Sequence, residues 1–327
     1  MNTHHGSRVL RKGVIALCLG LFTAGAAASD WPARPIRIVN PASPGGTADG
    51  LTRIVIEKMA EDLGQSVILD FRAGANGIIG TDHVAKSVPD GYTLLLCNSA
   101  TVTNAALHGK LPYDTERDLA PVSHFFETPY FLVVNARQPA ATVAELLALA
   151  RRSSGKLAFA SSGIGSTPHL TGEQLALKTG VPLLHVPYKG SAPAVTAVVA
   201  GEAQFLFMSL PATRTFIDEG KLRVLATTMP ARSPFLPQVP TMIESGVADF
   251  TASAWFGLCA PAGTPAAVQS RIADSLGRAL ASPDVRQRFL EAGAMPVPGT
   301  PDAFRAFFER SLRDTAAMLK ALGTKID

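Results

Sequence analysis

What the sequence lacks narrows its function more than its composition does. The longest apolar run, Val14 to Ala24, is about a dozen residues, short of the roughly 20 that cross a bilayer as a helix, so no membrane span is expected in the mature chain. Charge of one sign is also scarce. The chain is +4 overall, but its first 28 residues hold three basic and no acidic residues, so the rest is nearly balanced at +1. That balance gives no case for nucleic acid. Only three cysteines occur; Cys97 and Cys259 sit in apolar strand-like runs and read as buried free thiols, although an oxidising compartment would permit a disulfide. Metal-binding signatures of the H-E-x-x-H or C-x-x-C kind are missing. So are a P-loop and a G-x-G-x-x-G opening the first helix. No internal repeat or low-complexity tract is evident.

What is present begins with an export signal. Arg8, Arg11 and Lys12 precede the apolar run, and Ala26, Ala27 and Ala28 offer small side chains for cleavage, which implies a periplasmic protein whose mature chain starts near residue 29. A lipoprotein signal at Cys18 is the alternative, but Leu17 stands where a small residue is expected. Strand-like runs then alternate with amphipathic helical stretches, the pattern of an α/β fold with mainly parallel sheets. Strands are expected at 36–40, 66–71, 92–98, 131–135, 156–161, 183–188, 203–208, 222–228 and 253–260. Between Met229 and Pro240 four prolines argue for a loop. Three pairs, Thr264-Pro265, Ser282-Pro283 and Thr300-Pro301, each read as a capping hydroxyl before a proline at the first helical position. About 300 mature residues exceed one compact core, so two lobes are expected, residues 29–126 with 250–327 and residues 127–249.

The chemistry concentrates at junctions where a strand is followed by glycine with serine or threonine and then a helix. Pro44-Gly45-Gly46-Thr47, Ser162-Gly163-Ile164-Gly165-Ser166-Thr167 and Lys189-Gly190-Ser191 all have this form. A helix start exposes unpaired N–H groups and the positive end of the helix dipole, and glycine lets an anion approach the main chain. Ordinary turns and caps give the same pattern. Ligands of open α/β sheets sit beyond the carboxyl ends of the strands, which is where these junctions fall. A hydrolase using Ser162 or Ser166 with His169 as base is the competing reading, though no G-x-S-x-G elbow is present. His169 is otherwise a partly buried polar residue.

The residues further resemble a family. Trp31-Pro32-Ala33-Arg34-Pro35-Ile36-Arg37-Ile38-Val39 with Pro44-Gly45-Gly46 and Asp49, Pro89-Asp90-Gly91-Tyr92-Thr93-Leu94, Leu111-Pro112-Tyr113-Asp114, Gly165-Ser166 with His169-Leu170, Val186-Pro187-Tyr188-Lys189-Gly190 and Ala260-Pro261-Ala262-Gly263-Thr264-Pro265 follow the order found in the substrate-binding proteins of tripartite tricarboxylate transporters, the Bug family. The resemblance covers essentially the whole mature chain. It implies a two-lobed periplasmic binding protein (Venus-flytrap) fold, with a small organic carboxylate held in the interlobe cleft by backbone groups and ordered water. It also implies a monomer without cofactor or catalytic activity, which delivers its ligand to membrane permease subunits; a sensor subunit presenting the ligand to a kinase is the other use of such a lobe surface. Carried onto this chain, the ligand residues are Ala42, Ser43, Pro44, Gly45, Gly46, Thr47, Ser99, Gly165, Ser166, Thr167, Lys189, Gly190, Met208 and Ser209, with Asp49 as a structural cap. Met208 and Ser209 stand where Asp-Asn is common in the family. Methionine there predicts a more apolar or aromatic carboxylate, unless it merely fills core.

Overall fold

The structure, a computed structural model, describes residues 31–44 and 47–321. The expected signal segment with Cys18, and the glycines Gly45 and Gly46, lie outside the described residues. From Pro32 onward the described chain forms one compact unit.

Its first sheet grows around β1 (Ile36–Asn40), where Ile36, Ile38 and Val39 are fully buried. Helix α1 (Thr47–Leu63) follows and buries Leu51, Val55, Met59 and Leu63, one residue per turn. That spacing of four puts a single apolar stripe against the sheet. β2 (Val67–Phe71), α2 (Ile78–Ala85), β3 (Thr93–Asn98) and α3 (Ser99–Leu107) complete the unit, with β2 and β3 both parallel to β1. Helix α3 opens on a reciprocal cap: Asn98 Oδ1 accepts from the Ala100 N–H at 2.9 Å, and Thr101 Oγ1 accepts from the Asn98 N–H at 3.2 Å. The glycine-rich stretch after β2 forms a 3-10 turn at Ala75–Gly77 running into α2.

Strand β4 (Leu119–Asn135) is far longer than the expected strand at 131–135. Residues 122–126 are all buried, so no alternation marks them, and two irregularities in the pairing interrupt the two-residue period. Proline at 121 and 129 argues against strand in a sequence reading. Beyond β4 come α4 (Val143–Arg152), β5 (Ala158–Ser161), α5 (Thr167–Thr179), β6 (Leu184–Pro187), α6 (Ser191–Ala200), β7 (Phe205–Ser209), α7 (Leu210–Asp218) and β8 (Leu222–Thr227). Here β6 and β7 flank β5 in parallel, while the end of β4 lies antiparallel between β7 and β8. Both faces are covered. Leu132, Val134, Phe159, Phe205 and Phe207 enter one core cluster, and Phe131, Val133, Ala160, Leu206 and Met208 enter another, alternating strictly along each strand.

Residues 229–240 hold no helix or strand, as their prolines required. The chain returns through β9 (Ser253–Pro261), antiparallel to both β3 and β4. It closes with α8 (Ala266–Ala281), α9 (Pro283–Glu291), β10 (Met295–Pro296) and α10 (Pro301–Ala321). Sheets expected to be mainly parallel are therefore mixed, because β4 and β9 run against their neighbours. Pro283 and Pro301 are first helical residues, but Pro265 is itself the cap of α8, one position earlier than expected. Cys97 and Cys259 are free and fully buried, and burial beside the Cys97 thiol pushes the Cys259 thiol well up.

Candidate cleft at the carboxyl ends of the strands

Every expected ligand segment follows, or closes, a strand's carboxyl end. Residues 41–47 follow β1, Ser99 opens α3 directly after β3, residues 162–167 follow β5, Lys189 and Gly190 follow β6, and Met208 and Ser209 end β7. Contacts join some of these loops. A Cβ on Gly77 would lie 3.3 Å from Pro41, and one on Gly80 3.0 Å, so the turn before α2 backs the β1 loop closely. Asn76 Nδ2 donates to Asn104 Oδ1 at 3.0 Å and Asn104 Nδ2 donates to the Asn76 carbonyl at 2.9 Å, which fastens the same turn to α3. The Asn76-Gly77 pair was a legible signal for such a turn: Asn76 adopts φ 52°, a left-handed conformation that asparagine tolerates better than most residues. On the far side, the Gly190 N–H donates to the Ser162 carbonyl at 3.2 Å, bringing the β6 loop onto the β5 loop.

The expectation that main-chain N–H groups stand free in these loops is corrected at several positions. The Ala42 N–H is spent on Asn40 Oδ1 at 3.0 Å. Within the β5 loop, the Gly165 N–H donates to His169 Nδ1 at 3.1 Å and the Ser166 N–H to the Gly163 carbonyl at 3.2 Å. Ser166 Oγ donates to the same carbonyl at 2.6 Å while accepting from the His169 N–H at 3.4 Å, the ordinary cap of α5. Gly165 and Ser166 therefore shape the loop instead of offering amides to a ligand. A second correction concerns Met208. Its side chain is 2% exposed within the cluster of Phe131, Ala160 and Leu206, so it fills core and offers no surface to a ligand. Ser209, one residue on, pairs with Tyr130 and is only half-buried.

Two of the expected residues meet at one cavity. A hollow of about 790 Å³ lies between α3 and α10 on one side and α5 on the other, and Ser99 and Thr167, the first residues of α3 and α5, both line it. Its volume suits a small ligand. Residues 41–44, Lys189, Gly190 and Ser209 do not line this hollow. Glu127, Lys178 and Arg310 do. Burial raises the Glu127 carboxyl above its ordinary value, and Ser253 Oγ donates to it at 2.9 Å. Tyr130, which the sequence did not single out, is buried, and that burial pushes its phenol up to about 12. Nothing in the local pattern of a strand tyrosine marks that shift.

His169, Glu173 and His185 form a cluster whose ligand atoms all lie within 4.8 Å of one another. Such a donor set suggests zinc, but the hydrogen bonding opposes it. Because His169 Nδ1 accepts a backbone N–H, the neutral ring carries its proton on Nε2, the atom that faces Glu173 Oε1 at 3.7 Å. A protonated nitrogen is not a ligand. His185 Nε2 is engaged with Ser161 Oγ at 2.6 Å. The hydrolase constellation is not assembled either. Among the described residues, no hydrogen bond joins Ser162 or Ser166 to a ring nitrogen of His169, and Ser161, the serine that does meet an imidazole, is fully buried.

Comparison with known proteins gives a consistent result over most of the chain. The family model for the tripartite tricarboxylate transporter family receptor matches residues 51–324. Protein BugT of Bordetella pertussis is 38% identical over 316 residues, which cover 94% of this chain and 97% of that one. An R. palustris protein solved with adipate aligns with a TM-score of 0.79 at 33% identity, over 90% of this chain and 99% of the other. MatC from Rhodopseudomonas palustris, solved with bound malate, aligns with a TM-score of 0.75 at 28% identity, over 88% of this chain and all (100%) of its own.

Proposed function

Because the chain belongs to the tripartite tricarboxylate transporter receptor family, with the two-lobed α/β fold of periplasmic binding proteins, we propose that it captures a short aliphatic dicarboxylate between its lobes and hands it to the membrane subunits of such a transporter. The observation that carries this reading is the shared cavity: the N-termini of α3 and α5, which follow strands of different sheets, open into one hollow. Two helix starts with hydroxyl residues suit an anion better than one. Relatives solved with adipate and with malate support a carboxylate of that size.

In this reading Ser99 and Thr167 are the first contacts, and the residues 42–47 expected from the sequence are further ligand contacts. The preference for an aromatic acid that Met208 suggested loses its footing, since that thioether is in the core. The lobes comprise residues 29–126 with 250–327, and 127–249. Pairings near the two crossings support that division: β4 exchanges β9 for β7 and β8 after Pro129, and Thr228 Oγ1 lies within hydrogen-bond reach of the carbonyls of Tyr130 and Ala252, at 2.9 and 2.5 Å. After cleavage of the signal segment the protein acts as a monomer in the periplasm.

Micromolar capture needs about −8 kcal/mol. Hydrogen bonds to a charged group contribute roughly 1.5–3 kcal/mol each, so a few per carboxylate are enough. The test is a thermal-shift panel of mono-, di- and tricarboxylates, aromatic ones included. A ligand present at about a hundred times its Kd stabilises by roughly 2.7 kcal/mol, so at least one aliphatic dicarboxylate should raise the Tm by several degrees. Stabilisation by none of the acids, together with turnover of ester substrates, would overturn the reading.

A further inference from the structure

We propose that His169 is a positioning residue of the carboxylate cleft, holding the Gly165 N–H on its Nδ1 lone pair and thereby seating the loop of residues 163–167 against α3. The inference rests on the carboxylate-binding reading above and deepens it.

Four observations converge on this ring. First, the bond is buried and specific: Gly165 N–H to Nδ1 is 3.1 Å, and both residues are buried. Second, the loop it fixes is a contact between the two strand sets. Gly165 has φ +76°, and a Cβ there would fall 2.7 Å from Leu107 Cδ1, so the backbone itself lies against α3. Leu107 in turn clusters with Leu170 of α5 and Leu319 of α10. Third, the ring is oriented from two sides. It stacks on His185 with centroids 3.9 Å apart, and its Nε2 faces Glu173. Fourth, His185 is anchored by Ser161 Oγ, which also accepts the Gly163 N–H at 3.1 Å. Two N–H groups of one loop, at Gly163 and Gly165, thus end on a single polar chain running from Ser161 through His185 to His169. Thr167, at the end of that loop, lines the cavity.

This arrangement works only while Nδ1 is an acceptor. A side chain with no acceptor at that point would leave a buried N–H unpaired, and the loop would relax away from Leu107. Asparagine and glutamine separate this role from mere packing. Asn Oδ1 hangs on Cγ, as His Nδ1 does, and reaches the same point; Gln Oε1 sits one bond farther out. Both substitutions remove the ring and its stacking.

The experiment measures dicarboxylate affinity by calorimetry, together with hydrogen exchange at the Gly165 amide, in the wild type, His169→Asn and His169→Gln. Both variants should melt at lowered temperatures, His169→Gln the lower of the two. Affinity should hold within about threefold in His169→Asn and fall by about tenfold or more in His169→Gln, the scale expected for leaving one buried N–H unpaired. Ligand-free, the Gly165 amide should be protected in the wild type and His169→Asn and exchange much faster in His169→Gln. Equal affinity and equal protection in the two variants would overturn the proposal, as would a weakening that follows the Tm alone. Wild-type protein that binds no carboxylate would instead sink the function reading, and the exchange comparison would still decide whether His169 holds Gly165.

Discussion

His124 shows how a single buried ring sets a pH limit on the fold. It packs between Phe304 and Phe307, with centroids 5.4 and 4.7 Å away, and its Nε2 has no hydrogen-bond partner among the described residues, although Glu127 Oε1 lies 3.5 Å off. Burial lowers it from 6.5 to about 4. Burial and the neighbouring His169 bring His185 to about 4 as well. In the unfolded chain such a histidine takes up its proton first, so its stabilising contribution is full above pH 6.5 and is lost as pH falls toward 4. Glu127 and Glu173 act in the opposite sense: burial raises both, and their contribution is lost as pH rises through their folded values. His124→Phe should therefore lose less stability between pH 6.5 and about 4 than the wild type, by on the order of 3 kcal/mol. Urea unfolding across that range checks it, and superimposable pH profiles would refute the assignment. At this scale the sequence was partly legible. His169 was recognisable as a polar residue one turn into a helix, but its partner was not, since a backbone N–H four residues back carries no side-chain signal. Met208 misled because position along β7 does not reveal which face of a doubly covered sheet it occupies.

Among elements, the glycines that admit close approach matter as much as the apolar stripes. A Cβ on Gly257 of β9 would lie 2.1 Å from Phe304 of α10, and one on Gly172 of α5 would lie 2.2 Å from Phe159 of β5. In each contact one side presents no side chain, the strand in the first and the helix in the second. Gly257→Ala should destabilise the fold by about 1–3 kcal/mol through overpacking, and Phe304→Leu added to it should recover part of that loss; urea midpoints of the wild type and the two variants measure both. Strands followed by glycine and a hydroxyl cap were readable because their signals are local, and β1 to β3 lie close to their expected places. β4 was legible only at its end, as the continuous apolar run Phe131–Val134. The fate of the loop amides was not legible at all, since it depends on His169 and on carbonyls that the turn geometry brings round.

For the whole molecule, the two strand sets share β4, and the return path passes Thr228 and Ala252 beside it. Few covalent crossings and a ligand-sized hollow between helices of opposite sides are what hinge closure requires, the ligand favouring the closed form by contacts it makes only there. The small cluster of Leu107, Leu170 and Leu319 is the apolar part of that contact. The most direct test is a crystal structure of the protein with an aliphatic dicarboxylate that it binds in solution. The account predicts one ligand carboxylate within hydrogen-bonding reach of Ser99 and Thr167. A ligand seated elsewhere, with those two residues untouched, would contradict it.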